Sequence, residues 1–185
     1  FLIEYQNKKY ADQYKELVDY VKKYEKNIKV DVKDFSNAVA INYFKLMSYK
    51  DEYEVARLYS NNEFINKINE TFEGNFKINF HLAPPIFYKK DKVTGNPLKM
   101  NFGSWTLNLF KFISKFKFLR GTFFDIFGYF EDRKIERLLI NKYKNLIQEI
   151  CPKLTIDNYS LAVEIASIPD QIRGFGYIKK KNIEI

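Results

Sequence analysis

Apolar residues recur along this chain with two different periods, and the change of period marks out its elements. Tyr10, Tyr14, Leu17, Val18, Val21 and Tyr24 are spaced for one face of a helix, with Lys, Asp and Glu between them. Asn27 to Lys33 interrupts that pattern. Asp34 or Ser36 can then cap a second helix in which Ala38, Val39, Ala40, Ile41, Phe44, Leu46 and Met47 are apolar nearly all round, which predicts a central, buried helix. Asp51-Glu52-Tyr53-Glu54 opens a third, because acidic side chains favour the positive N-terminal end, and it carries Val55, Ala56, Leu58 and Tyr59. Phe64, Ile65, Ile68 and Phe72 predict a short fourth.

After Gly74 the period falls to two. Phe76, Ile78, Phe80 and Leu82 alternate with Lys77, Asn79 and His81, which predicts a half-buried strand ended by Pro84-Pro85. Ile86-Phe87-Tyr88 and Leu98-Lys99-Met100 flank a polar stretch containing Thr94-Gly95-Asn96-Pro97, so a hairpin-like excursion with an exposed tip is expected. Ser104 can cap a helix with Trp105, Leu109, Phe112, Ile113 and Phe116 on one face, with Gly121 where a glycine cap belongs. Beyond the Gly128 turn, Ile135, Leu138, Leu139, Tyr143, Leu146, Ile147 and Ile150 give the clearest helical period in the chain. Thr155 can cap one more helix through Leu161, Ala162, Ile165 and Ile168, stopped by Pro169. The end, Arg173 to Tyr177, is glycine-jointed and then strand-like. The pattern predicts an α+β fold, predominantly α-helical, with about six or seven helices and a small strand or hairpin element around residues 76–102. No repeat, low-complexity segment or linker is visible, so residues 1–185 read as a single domain.

Composition narrows the class. A chain of 185 residues can bury about 70% of its unfolded surface in one core. Hydrophobic residues make up 46% and charged residues 29%, a globular balance, and 18 Phe with 14 Tyr make the chain rich in aromatics. No apolar run approaches the roughly 20 residues that cross a bilayer, and Phe1-Leu2-Ile3-Glu4 lacks the features of a signal peptide, so a soluble, cytoplasmic domain with no membrane partner is expected. The first residue is Phe rather than Met, which suggests a chain cut from something longer. A lone Cys151 excludes an internal disulfide and a four-thiolate metal site; a small buried hydrophobe near a helix end is its ordinary role. The net charge of +8 suggests anionic partners, although most of the 31 basic residues are Lys spread through every segment.

The search for catalytic chemistry returns little. One His gives no paired-His metal site, and there is neither a serine nucleophile elbow nor a Walker-type phosphate loop. Gly174-Phe175-Gly176 is a lone G-x-G that opens no helix. The isolated chain is therefore not expected to catalyse, to hold a metal or to bind a cofactor by itself. Arginine stands out because only five occur: Arg57, Arg120, Arg133, Arg137 and Arg173. A planar guanidinium pairs bidentately with carboxylate or phosphate, as an ammonium cannot. Arg57, Arg133 and Arg137 lie beside Asp and Glu on their own helices and read first as ion pairs, with Arg57 kept as a candidate anion contact. In Arg120-Gly121 and Arg173-Gly174 an Arg at a helix end precedes a glycine whose backbone can approach a ligand closely, so these corners are candidate anion clamps; an Arg beside a glycine cap is the ordinary alternative. His81, before Leu82-Ala83-Pro84-Pro85, is the candidate acid–base residue, against a polar strand-face role.

Four segments together resemble a known family: Asn42 to Tyr59 (NYFKLMSYKDEYEVARLY); His81 to Pro85 (HLAPP); Leu119-Arg120-Gly121-Thr122 with Asp125 and Phe127-Gly128-Tyr129; and Ile172 to Gly176 (IRGFG). In order and spacing they are similar to the C-terminal domain of the long, fused indolepyruvate ferredoxin oxidoreductases, from about Phe1 to the end. The resemblance implies an accessory domain of an enzyme that oxidatively decarboxylates 2-oxo acids to acyl-coenzyme A with ferredoxin as electron acceptor. Thiamine diphosphate and iron–sulfur clusters are implied in other domains, and other domains or subunits of the same oxidoreductase, ferredoxin and coenzyme A as partners, in a homo-oligomer. The chain departs from the family pattern at Phe130, where Thr is usual and a capping hydrogen bond is lost, and at Gly103-Ser104-Trp105, where Gly-Pro-Trp is frequent. Two alternatives use the charge instead: a basic module docking acidic ferredoxin, and, ranked lower because most aromatics sit at core spacing, a nucleic-acid-binding module.

Overall fold

A single turn, α1 (Leu2–Tyr5), precedes the first long amphipathic helix, α2 (Lys8–Asn27), which Asn7 caps by accepting from the Tyr10 N–H. The computed structural model describes residues 1–28, 32–84, 98–172, 174 and 179. Its further helices are α3 (Asp34–Met47), α4 (Glu52–Ser60), α5 (Asn62–Thr71), α6 (Thr106–Ser114), α7 (Glu131–Ile150) and α8 (Tyr159–Ser167). The only sheet among the described residues pairs β1 (Phe80–Leu82) antiparallel with β2 (Met100–Phe102), Phe80 facing Phe102, His81 facing Asn101 and Leu82 facing Met100. The fold is α+β and predominantly α-helical. None of the described helices is long and apolar enough to cross a membrane.

The residues cluster into two compact units, Phe1–Lys50 with Gly121–Ile185, and Asp51–Arg120. Neither boundary carries a low-complexity or Pro- and Ser-rich linker, which is why the sequence reads as one domain. In the first unit α3 is central, packed against α2, α7 and α8. It buries Phe35, Val39, Tyr43, Leu46 and Met47 against Leu17 and Val21 of α2, Ile140, Tyr143 and Ile147 of α7, and Ala162 and Ala166 of α8. Each large side chain taken out of water here stabilises by about 1.5–3 kcal/mol. α3 is not apolar-buried all round, since Ile41 is exposed. Tyrosine suits this core because its ring packs while its hydroxyl finds a carbonyl: Tyr5 donates to Tyr49 O at 2.7 Å and Tyr143 to Ala166 O at 2.8 Å.

The second unit is smaller. α4 packs on α6 around Ala56, Phe80 and Phe110, with Tyr59 stacked on Phe110 at 5.5 Å and edge-on to Phe80 at 5.3 Å.

Four sequence expectations about helix ends and faces are corrected. Neither Asp34 nor Ser36 caps α3, whose N-cap is Lys33 without a side-chain bond; Glu25 and Tyr159 supply the acceptors instead. Ser104 does not cap α6: its hydroxyl donates to Ile78 O at 3.2 Å, and Thr106 Oγ1 donates to Gly103 O at 2.7 Å. Thr155 closes the turn before α8 by exchanging hydrogen bonds with Asn158, rather than capping the helix. The face of α6 that enters the core is Thr106 and Phe110, while Trp105, Leu109 and Phe112 lie outside. The strand is also shorter than its alternation, because Phe76 is exposed and pairing starts only at Phe80. The hairpin tip at Thr94–Pro97 and the strand-like end at 175–178 lie outside the described residues.

Candidate functional site

α4 begins where the acidic run predicts, and Asp51 caps it: its carboxylate lies over the first turn and Oδ1 accepts from the Glu54 N–H at 2.8 Å. The same carboxylate receives the Arg120 guanidinium as a fork, Nε to Oδ2 at 2.5 Å and Nη2 to Oδ1 at 2.8 Å. Both side chains are almost fully enclosed, at 2% and 3% exposure, and the Tyr53 ring lies 5.6 Å from the guanidinium carbon. Asp51 and Arg120 are the first and last residues of the second unit. The fork therefore ties its two ends together across 69 residues of sequence, and it explains why a chain that otherwise writes Lys writes Arg here: an ammonium cannot span both oxygens.

One turn further along α4, Arg57 is held the same way by Glu54, Nε to Oε2 and Nη2 to Oε1, both at 2.8 Å. This is an ion pair of the kind the neighbouring acidic residues predict.

In the first unit, Gly121 takes the left-handed conformation, φ +77°, and its N–H donates to Asp125 Oδ2 at 2.7 Å. It does not end α6 directly, since that helix stops at Ser114 and a 3-10 turn, Lys117–Leu119, intervenes. Asp125 Oδ1 accepts from the Gly128 N–H at 2.9 Å. Arg137 completes the knot, with Nη1 3.6 Å from Asp125 Oδ2 and Nη2 donating to Gly128 O. A Cβ on Gly128 would lie 2.7 Å from Asp125 Cγ and 2.8 Å from Arg137 Nη1, besides meeting Asp125 Oδ2, so the glycine is required by crowding rather than by its φ. Gly121, Asp125 and Gly128, which the sequence presents as a spaced motif, are thus one hydrogen-bonded unit. Glu136, beside Arg137 in sequence, pairs instead with Lys179.

The remaining candidates fall elsewhere. His81 is exposed on β1 opposite Asn101, whereas Arg120 is enclosed. Gly174 is exposed with φ +92°, and its neighbour Arg173 lies outside the described residues. Cys151 is buried in the 3-10 turn that follows α7, and burial, with Glu25 nearby, pushes its thiol up to about 12, leaving it protonated at neutral pH. Among the described residues no three His, Cys, Asp or Glu side chains converge as metal ligands.

Sequence reasoning passed over Glu25 and Tyr159. Glu25 Oε1 accepts from the N–H groups of Phe35 and Ser36 at 3.1 and 3.2 Å and from the Tyr159 hydroxyl at 2.7 Å; that hydroxyl in turn accepts from the N–H groups of Asp34 and Phe35. No local signal announces a cap delivered from α2 and α8, since Tyr159 stands 134 residues from Glu25.

No curated protein and no solved structure matches the chain. A family model matches residues 1–185, through both units, and the chain belongs to that family, DUF6537, a family of unknown function.

Proposed function

We propose that this chain is a non-catalytic accessory domain of an indolepyruvate-type 2-oxoacid:ferredoxin oxidoreductase, where it supports a subunit interface or covers the active site. One observation carries the accessory role. Buried charged groups are matched inside the chain, Arg120 to Asp51 and Arg57 to Glu54, while large apolar side chains such as Trp105, Phe112, Phe118, Phe123 and Phe124 stand outside. That is the balance of a domain completed by neighbours rather than of one that binds small ions. The enzyme class rests on the four sequence segments. Under this reading thiamine diphosphate and the iron–sulfur clusters belong to other domains, coenzyme A and ferredoxin are partners of the whole cytoplasmic enzyme, and the chain works within a homo-oligomer.

The reading is tested on the assembled enzyme that includes this chain. With indolepyruvate and coenzyme A it is expected to reduce ferredoxin, and residues 1–185 alone are expected to do nothing. An assembled enzyme that oxidises no 2-oxo acid would overturn the enzyme class.

The candidate anion clamp at Arg120 already holds a carboxylate within the chain, so the anion-binding reading rests on Arg173. An Arg173→Lys enzyme with unchanged KM for both 2-oxo acid and coenzyme A would remove it.

A further inference from the structure

The net charge of the chain sits in one stretch. From Gly74 to Arg120 there are nine Lys and Arg against a single acidic residue, Asp91, a net +8; the other residues hold 22 basic and 22 acidic side chains and cancel. The stretch ends with α6, whose inner side, Thr106 and Phe110, is used by its own unit. Its outer side presents Trp105, Leu109 and Phe112 at i, i+4 and i+7, with 58%, 40% and 59% of each exposed. At 3.6 residues per turn these three span an arc of about 60°. Lys115 and Lys111, both exposed, lie on one flank of that arc, about 60° and 100° beyond its edge, and Phe116 packs edge-on to Phe112 at 4.9 Å.

We propose that this outer stripe of α6 inserts into an apolar groove, rimmed by Asp and Glu, on a neighbouring domain or subunit of the same enzyme. Spacing and charge both select this occupant. Anchors at i, i+4 and i+7 on a narrow arc are how a helix fills a groove, narrower than the stripe of about 100° or more that a surface helix lays on a core. Leu109 at the centre of the stripe offers a nucleic acid nothing to stack on. Brief encounters between redox proteins bury small areas, under about 1,200 Å², while large apolar anchors mark resident interfaces. The lysine flank, with no acidic residue between Lys92 and Asp125, requires a carboxylate rim on the partner and repels a second copy of the same face.

The inference rests on the accessory-domain reading only in placing the chain inside a larger assembly. It is tested on the purified intact enzyme, free of ferredoxin, with photoreactive benzoylphenylalanine in place of Leu109. The expected product is a cross-link, identified by peptide mass spectrometry, to a segment of the same enzyme outside residues 1–185 that has apolar residues flanked by Asp or Glu. Paired Lys111→Glu and Lys115→Glu changes are expected to lower its yield about tenfold; both side chains are exposed, and unchanged circular dichroism confirms the fold. No cross-link, a cross-link into a segment without acidic residues, one to lipid or nucleic acid, or a yield indifferent to charge reversal would each overturn the proposal. The enzyme class is decided separately by ferredoxin reduction, which can fail while the cross-link forms, or succeed while it does not.

Discussion

Asp51 does two jobs with one carboxylate, and they can be separated. Asparagine is as good an N-cap as aspartate but carries no charge, so Asp51→Asn keeps the bond to the Glu54 N–H and removes the negative charge and the second oxygen that face Arg120. Neutralising the carboxylate that faces a guanidinium at 2% exposure should cost up to about 3–5 kcal/mol, the range for breaking a buried pair. Arg120→Lys keeps the charge, loses the fork and is expected to cost less. Urea unfolding ranks the two variants; a negligible loss in Arg120→Lys would mean that charge alone, not fork geometry, holds the ends of the second unit.

Two other buried groups set an alkaline limit. Burial pushes the Cys151 thiol from 9.0 to about 12, with Glu25 adding to it, and the Tyr43 hydroxyl from 10.0 to about 12, with Glu16 adding to it. A raised pKa means that the folded state keeps a proton the unfolded chain gives up. Their contribution is therefore complete below about pH 9 and is lost as pH rises towards 12. Urea midpoints should be level up to about pH 9 and fall above it, and Cys151→Ala should flatten the earliest part of the fall. Native Cys151 should also resist iodoacetamide at neutral pH until the protein is unfolded.

At the scale of elements, α6 shows how a helix that is apolar on several sides can be placed the wrong way round. Trp105, Leu109 and Phe112 form a better stripe on paper than Thr106 and Phe110, yet Phe110 meets Ala56, Phe80 and Tyr59. Phe110→Ala should therefore cost about 3–5 kcal/mol, whereas Leu109→Asn should stay within about 0.5–1 kcal/mol. The reverse order in thermal or urea melts would return Leu109 to the core. Periodicity made α2, α3 and α7 legible because each must bury one side, and the start of α4 was legible in its acidic run because the N–H that Asp51 accepts from is local. The caps of α3 and α6 were not, since Glu25, Tyr159 and the Gly103 carbonyl reach them through tertiary structure or an irregular turn. The candidate site was half legible in the same sense. Scarce arginine pointed to Arg120 and the glycine motif to Gly121, but nothing local names Asp51 as the partner. Gly128→Ala tests the element built on that motif. Crowding against Asp125 and Arg137 should cost about 1–3 kcal/mol and loosen the turn before α7.

At the scale of the whole molecule, the two units differ in what holds them. The first draws buried side chains from α2, α3, α7 and α8 into one core. The second closes on Ala56, Phe80 and Phe110, with partly buried neighbours and a two-stranded sheet, and α5 buries no residue at all. Local opening is governed by buried apolar contact, so amide hydrogen exchange should divide the chain. Amides of α3 and of the middle of α7 should exchange only on global unfolding. Those of α4, α6 and the β1–β2 pair should exchange through a lower-energy opening, and those of α5 soonest. Asp51→Asn should widen the gap, accelerating α4 and α6 while leaving α3 unchanged, because the fork it breaks belongs wholly to the second unit. Uniform acceleration in every helix would mean that the two units open as one, and that the division at Asp51 and Arg120 has no energetic counterpart.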